Sequence, residues 1–225
     1  DPVTLPASWA GFLRGTPDGS RVAFQAVDWD SRLERLPFDP VEERVSGAPV
    51  PVARFVGLID DPQLALQGGL MTLSSLGGKE DIFVLKTDGT GLRRLTDDGF
   101  RNRGPAFSPD GRKILFYSDR AGGYDAWTVA VDGIGLSPVT RSRAGNSLVN
   151  PVWSPDGSHL YFASDRGGVM TAWRVPIDEV SGRLLGEPAP VTLPAAWSGQ
   201  LSLAADERRI AYRTSEMTAE VRRIP

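Results

Sequence analysis

Apolar residues in this chain occur in short runs, and turn-forming residues separate one run from the next. The clearest run, KILFYS at 113–118, is rich in β-branched and aromatic side chains, which favour extended strands. It is flanked by the turn signals PDG and DRAGGY, and a second run, DAWTVAV, follows at 125–131. The periodicity of an amphipathic helix is nearly absent, and only PQLALQGGL at 62–70 resembles it. The pattern therefore predicts an all-β chain of short antiparallel strands.

The strand-and-turn pattern repeats along the chain at a constant spacing. Pro-Asp-Gly begins at Pro17, Pro109 and Pro155; the last two are 46 positions apart, and the first two are separated by twice that distance. A degenerate copy near Pro62 fills the gap, and a more divergent one lies near Ala205. Each copy reads as four strands, as in NRGPAFS, KILFYS, DAWTVAV and LSPVT of the third copy. Four strands in a repeat of about 45 residues predict a β-propeller, in which each blade buries its faces against its neighbours.

The repeats account for the chain as one propeller domain of five four-stranded blades. We place the units at residues 8–52, 53–97, 98–141, 142–193 and 194–225, with residues 1–5 completing the last. The N-terminal segment DPVTLPASW matches APVTLPAAW at 189–197, which contains a fourth strand, whereas AEVRRIP at the C-terminus matches third strands. We therefore expect the N-terminal strand to complete the last blade and close the ring, which removes an exposed sheet edge. The alternative is a segment of a larger ring of about six to eight blades.

Composition and charge exclude several classes of function. The chain has 225 residues, 40% of them hydrophobic, and a net charge of −3. Phosphate binding needs a basic field, so nucleic acid is not an expected partner. The chain has no cysteine, which excludes disulfides, thiolate catalysis and cysteine-ligated metals. No apolar run reaches the roughly 18 residues of a membrane helix, so we expect no membrane insertion, and we expect a monomer.

Signals of catalysis are sparse. His159 is the only histidine and follows a Pro-Asp-Gly turn, where it is interpreted as a surface residue. A Ser-His-Asp triad needs a base beside its nucleophile, and the sequence contains no Gly-x-Ser-x-Gly. One histidine also disfavours a metal-dependent propeller enzyme such as a lyase, because such sites need several imidazoles or a carboxylate cluster. We therefore predict a protein that is not an enzyme and uses no cofactor and no metal.

A Ser-Asp-Arg sequence after the second strand is the sharpest polar signal. It supplies two pairs, Asp119 with Arg120 and Asp165 with Arg166. Asp125 lies six positions after Asp119, but its counterpart in the fourth unit is Thr171. Ca²⁺ takes about six to eight oxygen ligands, and two carboxylates in one blade fall short. Because the pair recurs with the repeat, we interpret it as scaffolding, with the aspartate capping its turn and the arginine bridging to a neighbouring blade.

Residues that do not follow the repeat are better candidates for ligand binding. Before the first strand, the first, second and fifth units carry the aromatic residues Trp9, Phe55 and Trp197. The aligned places in the third and fourth units carry the polar residues Arg101, Arg103 and Asn150. These segments rim the central channel of a propeller, and aromatic and arginine side chains often anchor partners. We predict a ligand or partner site from these six residues; the alternative is that the aromatic side chains pack between blades.

The phrases FSPDGRKILFYSDRAGGYDAWTV and WSPDGSHLYFASDRGGVMTAWRV resemble the WD40-like (PD40) repeats of the TolB-type β-propellers. The resemblance is close over residues 97–141 and 142–193 and weaker elsewhere. It implies a scaffold that binds a protein, peptide or small ligand at the channel face, as a sensor, regulatory or envelope component in the periplasm or another extracytoplasmic setting. Similar repeats occur in prolyl-oligopeptidase-type and tricorn-like peptidases. The alternative is therefore a substrate-gating propeller whose catalytic domain is absent from this chain.

Overall fold

The described part of the chain consists of β-strands and the turns that connect them. The computed structural model describes residues 9–15, 22–27, 30–35, 38–39, 41, 44–45, 47–66, 69–76, 79–141, 146–191, 198–204, 206 and 208–214. Within those ranges every regular element is a strand, and all paired strands run antiparallel. The all-β prediction is therefore confirmed.

The first repeat contains two strand pairs and a short hairpin. Its strands are β1 (Trp9–Gly15), β2 (Val22–Val27), β3 (Asp30–Arg35), β4 (Phe38–Asp39), β5 (Arg44–Val45) and β6 (Val50–Val56). β1 pairs with β2 and β3 pairs with β6, while β4 and β5 form the hairpin between β3 and β6.

The second and third repeats are four-stranded meanders in which each strand pairs with the next. The second comprises β7 (Leu58–Leu64), β8 (Leu70–Leu76), β9 (Ile82–Lys86) and β10 (Arg93–Arg94). The third comprises β11 (Asn102–Phe107), β12 (Lys113–Ser118), β13 (Asp125–Ala130) and β14 (Ser137–Pro138), which confirms its four predicted strands. The helix-like patch at 62–70 supplies the end of β7 and the start of β8, because strand pairing outweighs a weak helical pattern.

The fourth repeat carries an additional hairpin. Its strands are β15 (Leu148–Trp153), β16 (His159–Ser164), β17 (Thr171–Asp178), β18 (Arg183–Leu184) and β19 (Ala189–Pro190). β17 pairs with β16 and β19 and extends into a hairpin with β18. At its tip the Glu179 carboxylate accepts a hydrogen bond from the Asp110 N–H at 2.7 Å, which ties the fourth repeat to the third. The fifth repeat is described by β20 (Ser198–Leu203) and β21 (Ile210–Thr214), which pair together.

The hydrophobic core lies between successive sheets. On β12, Leu115 faces the fourth repeat and packs with Leu160 and Phe162. Its neighbours Ile114 and Phe116 face the second repeat in another cluster, and all five side chains are fully buried. A third cluster joins the first and second repeats and contains Leu33, Met71, Leu73 and Leu85. Successive side chains of a strand point to opposite faces of its sheet. A sheet that is covered on both faces, as in a propeller blade, therefore needs apolar residues at both odd and even positions.

The two Pro-Asp-Gly turns of the third and fourth repeats lie at one end of their sheets. Gly111 and Gly157 have φ of 71° and 74°, where glycine is favoured, as predicted for this turn. Their N–H groups donate to the carbonyl oxygens of Ser108 and Ser154 at 2.8 and 2.9 Å. The Ser-Asp-Arg turns lie at the other end, because β11 and β15 begin where β12 and β16 finish. We call this second end of the propeller the channel mouth.

The number of blades and the closure of the ring stay predictions. Residues 1–5, which are expected to complete the last blade, and the C-terminal segment 215–225 lie outside the described residues.

Candidate functional site

The first strands of successive repeats lie side by side around a shared space. β11 contacts both β7 and β15, and β15 contacts β20. Two cavities, of about 240 Å³ and 380 Å³, open between these four strands. Both cavities are lined by Gln63, Ala106, Val152, Leu201 and Ser202. The first strands therefore form the wall of the channel, as expected for a propeller.

Each first strand contains a bulge in its pairing with the second strand. The register shifts within β1, β7, β11, β15 and β20 at corresponding places. In three of them the two bulge residues are Asp61-Pro62, Gly104-Pro105 and Asn150-Pro151. Proline cannot donate to a strand ladder, so a bulge is where a strand accepts it. Every residue of these three dipeptides except Pro62 lines the 240 Å³ cavity.

The residue before each of these prolines has a left-handed backbone. The φ values are 50° for Asp61, 59° for Gly104 and 51° for Asn150. For a residue other than glycine this conformation is uncommon, and such residues often cluster at functional sites. The bulges thus place one carboxylate and one amide on the channel wall, on either side of a glycine.

Gly104 is required by the packing of Tyr117. A Cβ at Gly104 would lie 2.7 Å from Tyr117 Cε1, too close for any side chain. The Tyr117 ring packs edge-to-face on Tyr124, with 5.3 Å between ring centroids. Burial raises the pKa of Tyr117 to about 12, so its hydroxyl stays protonated and can donate a hydrogen bond at neutral pH.

Arg103 is held by a carboxylate at the channel mouth. Its Nη2 donates to Glu80 Oε1 at 2.6 Å and its Nε donates to Glu80 Oε2. The hydrogen bonds to Glu80 raise the pKa of Arg103. Arg103 lines a cavity of about 180 Å³ with Asp60, Asp61 and Tyr117. It therefore presents an oriented, partly neutralised guanidinium rather than a free positive charge.

Asp61 is a site residue that the sequence reasoning missed. Its side chain is half-buried, and burial, followed by the nearby Asp60 carboxylate, raises the pKa of Asp61. The Asp61 N–H donates to Asp60 Oδ1 at 2.9 Å. The available signal was Asp61-Pro62 itself, which corresponds to Gly104-Pro105 and Asn150-Pro151.

The other predicted polar residue and one aromatic residue are placed differently. Arg101 is exposed directly before β11 at the channel mouth. Phe55 precedes β7, the first strand of the second repeat, as expected. It lies in β6, opposite Ser31, because β6 completes the first repeat by pairing with β3. There Phe55 packs edge-on against Phe83 of the second repeat at 6.1 Å, which is the alternative of packing between blades.

The structure describes no side-chain positions for the two tryptophans that were predicted for the site. Trp9 begins β1 opposite Val27, and the structure describes only its backbone. Trp197 lies outside the described residues. Their place in a channel site stays a prediction.

The aspartates of the Ser-Asp-Arg turns act on the segment that leads into the first strand. Asp119 Oδ1 accepts from the Arg101 N–H at 2.9 Å, and Asp165 Oδ1 accepts from the Ser147 N–H at 2.7 Å. The expectation that these carboxylates cap N–H groups of their own turn is thus corrected. The antiparallel pairing of first and second strands brings the two segments together.

Arg120 binds within its own repeat, so the expected bridge to a neighbouring blade is wrong. It donates to Asn102 Oδ1 at 2.7 Å and forms an ion pair with Asp98 at 2.7 Å. Its guanidinium also stacks on Trp127, 4.7 Å from the ring centroid. The first strand of the same repeat is nearer than the next blade, because it pairs with the strand that ends at Ser118.

Asp125 and His159 form hydrogen bonds within their own repeats. Asp125 is buried, its Oδ1 accepts from Thr140 Oγ1 at 2.8 Å, and Thr140 Oγ1 accepts from the Ala126 N–H. His159 begins β16 at the end opposite the channel mouth, where its Nδ1 lies 2.7 Å from Ser158 Oγ. Among the described residues, no three His, Cys, Asp or Glu side chains come together as a metal site. The same ranges contain no helix long and apolar enough to cross a membrane.

Comparisons with known proteins agree with the predicted resemblance, although no family model matches the chain. A TolB homologue of Chlorobium luteolum is 35% identical over 107 residues, which cover 48% of this chain and 23% of that protein. The Tol-Pal system protein TolB of Bordetella pertussis is 30% identical over 135 residues, 59% of this chain and 28% of that one. The crystal structure of TolB from Acinetobacter baumannii has a TM-score of 0.63 at 21% identity, covering 84% of this chain and 48% of that chain.

The chain spans about a quarter of the length of these curated relatives and about half of the solved TolB. A puromycin-hydrolyzing peptidase of Mycobacterium tuberculosis shares the fold, with a TM-score of 0.56 at 12% identity over 90% of this chain and 37% of that chain. In its repeated sequence phrases and in the arrangement of its sheets, the chain is similar to the TolB-type β-propellers.

Proposed function

We propose that this propeller is a recognition scaffold that binds a protein or peptide segment at the channel mouth. The observation that carries the proposal is the set of bulges that place Asp61 and Asn150 on the channel wall, with Arg103 and Tyr117 beside them. These side chains offer a carboxylate, an amide, an oriented guanidinium and a protonated hydroxyl. Hydrogen-bonding groups of several kinds on a rigid wall suit selective binding without a chemical step.

The setting that fits this role is the cell envelope. A curated relative is named as a protein of the Tol-Pal system. By analogy, we propose a periplasmic or other extracytoplasmic location, and a monomer that is not an enzyme and uses the channel mouth for an envelope or sensor partner. A small ligand in the same cavities is included in the proposal, because they measure about 180 to 380 Å³.

A second candidate is a substrate-gating propeller of a hydrolase. The likeness to the puromycin-hydrolyzing peptidase concerns the fold alone. A Gly-x-Ser-x-Gly hydrolase module in the same polypeptide would favour this candidate over a recognition scaffold.

A thermal-shift screen against peptides, sugars, nucleotides and metal ions tests the proposal. A ligand at a hundredfold excess over Kd stabilises the folded protein by about 2.7 kcal/mol. The variant Gln63→Arg, at an exposed channel-wall position, is expected to fold and to lose this stabilisation. Ser181→Arg adds the same charge on the exposed hairpin of the fourth repeat and is expected to keep it. Hits that both variants retain equally would place binding outside the channel.

A further inference from the structure

Two arginines at the same place in successive repeats have different surroundings. Arg120 and Arg166 both follow the second strand of their repeat, and both stack on a phenylalanine and a tryptophan. For Arg166 the rings are Phe162 and Trp173, with centroids 5.1 and 5.4 Å from the guanidinium carbon. The Nε of each arginine faces a serine, at 3.1 Å from Ser118 Oγ for Arg120 and 3.5 Å from Ser164 Oγ for Arg166.

The terminal nitrogens are where the two sites differ. Those of Arg120 meet the Asp98 carboxylate and the Asn102 amide oxygen, both at 2.7 Å. Leu148 occupies the place of Asn102, and the residues between Thr140 and Leu148 read RSRAGNS, without a carboxylate. Within the described ranges, no side chain forms a hydrogen bond or ion pair with the terminal nitrogens of Arg166.

A cavity of about 500 Å³ lies beside Arg166, between the third and fourth repeats. Its lining includes Arg141 and Glu187, both exposed, and the buried Thr140. Burial lowers the pKa of Arg166, whereas the carboxylates of Asp125 and Glu187 raise it. Neither carboxylate lies within 4.0 Å of the Arg166 guanidinium, and Asp125 is already bound by Thr140. The stacked guanidinium is thus oriented towards a space that can hold the missing partner.

We propose that this cavity binds a carboxylate group through Arg166, in the position that Asp98 takes against Arg120. A guanidinium has a planar set of donors that matches a carboxylate, and stacking on aromatic rings fixes its plane before binding. Arg141 adds a second positive charge at the cavity. This site lies at the same end of the propeller as the channel mouth, but it shares no lining residue with the cavities between the first strands. It does not depend on the function proposed above.

The test is an NMR titration of the isotope-labelled chain, following the Nε–Hε resonances of Arg166 and Arg120. The probes are succinate and a blocked tripeptide with a central glutamate; the same tripeptide with glutamine is the neutral control. We expect a saturable shift at Arg166 and none at Arg120, whose carboxylate partner is already present. Saturation by the tripeptide alone indicates a protein segment as the source, and saturation by both probes indicates a small carboxylate. Equal shifts at both arginines, or no saturation at Arg166, would overturn the proposal.

Two variants separate the binding role from a role in folding. Arg166→Gln keeps much of the side-chain stem and is expected to weaken carboxylate binding about tenfold or more, because a charge-assisted hydrogen bond is lost. Glu187→Gln removes a competing negative charge from the cavity and is expected to tighten binding. If Glu187→Gln folds normally and leaves the affinity unchanged or weaker, the carboxylate does not bind beside Arg166. Arg112→Gln, at an exposed turn position away from this cavity, is the charge-matched control.

Discussion

At the residue scale, single backbone conformations shape the channel wall. Asp61 and Asn150 are held in a left-handed conformation that costs about 1 kcal/mol or more for such residues. The bulges stabilise that conformation, and as a result the side chains of Asp61 and Asn150 face the cavity. Gly104 at the equivalent position leaves room for Tyr117 instead.

Gly104→Ala tests how tightly Tyr117 fills the wall. We expect a loss of about 2–3 kcal/mol in the free energy of unfolding, from backbone strain plus the clash with Tyr117 Cε1. Gly111→Ala is the control, since its φ of 71° imposes similar strain while no atom lies within 4 Å of the added Cβ. Urea denaturation of both variants separates the two contributions. Equal losses would show that Tyr117 moves aside without cost.

Asp61→Asn tests the electrostatics of the bulge. Because the pKa of Asp61 is raised in the folded state, its ionisation disfavours folding as pH rises above the ordinary aspartate pKa of 3.8. The variant should therefore be more stable than the parent at pH 7, and the difference should shrink as pH falls through that region. Urea denaturation of both proteins across this range measures it. A difference that does not change with pH would show that Asp61 titrates normally.

Sequence reasoning identified only part of this wall. Arg103 and Asn150 were predicted because they break the repeat, and both line channel cavities. Asp61 was missed because a bulge and a positive φ arise from strand pairing, which a single sequence does not display. Phe55 precedes β7 as expected, but its place in β6 depends on the pairing of β6 with β3, which a single sequence does not display.

At the element scale, the Ser-Asp-Arg turn joins the second strand to the segment leading into the first. The aspartate fixes a backbone N–H of that segment, in the third and fourth repeats alike. The contacts that the arginine makes then differ between the two repeats, because the segments leading into their first strands supply different side chains. The turn therefore combines a constant structural contact with one that varies.

Arg120→Met and Arg166→Met form a matched pair that measures this difference. Arg120 has a side chain only 9% exposed, and its removal takes the ion-pair partner from the Asp98 carboxylate and a hydrogen-bond donor from Asn102 Oδ1. We expect a loss of about 2 kcal/mol for Arg120→Met and well under half of that for Arg166→Met. Thermal or urea unfolding supplies both values. A larger loss at Arg166 would mean that its guanidinium is mainly a structural group.

Strand and turn positions were predictable where local chemistry repeats. Pro-Asp-Gly predicted the turns at Gly111 and Gly157, and runs such as KILFYS predicted strands buried on both faces. The partners of Arg120 were not predictable, because Asp98 and Asn102 reach it only after β11 and β12 pair.

At the scale of the whole molecule, stability comes from cores that lie between sheets. Each described core cluster draws residues from two successive repeats, so a repeat depends on its neighbours. The strand that begins the chain is expected to extend this arrangement around a closed ring.

Deletion of residues 1–5 tests the proposed closure. If that strand completes the last blade, its loss exposes a sheet edge, and the melting temperature of the whole domain should fall by several degrees. Replacing the same residues with a Gly-Ser sequence of equal length controls for chain length and should behave like the deletion. An unchanged melting temperature would contradict a five-bladed ring closed by this strand.

The most direct test of the channel mouth as the binding face is photo-crosslinking from two positions. A benzophenone amino acid replaces Arg101, which is exposed at the mouth, or Ile134, which is 71% exposed on a turn at the opposite end. The proteins are expressed in envelope-containing cells, each with and without Gln63→Arg in the channel. We predict a crosslinked partner from position 101 that Gln63→Arg removes, and none from position 134. Crosslinks of equal yield from both ends, or crosslinks unaffected by Gln63→Arg, would contradict recognition at the channel mouth.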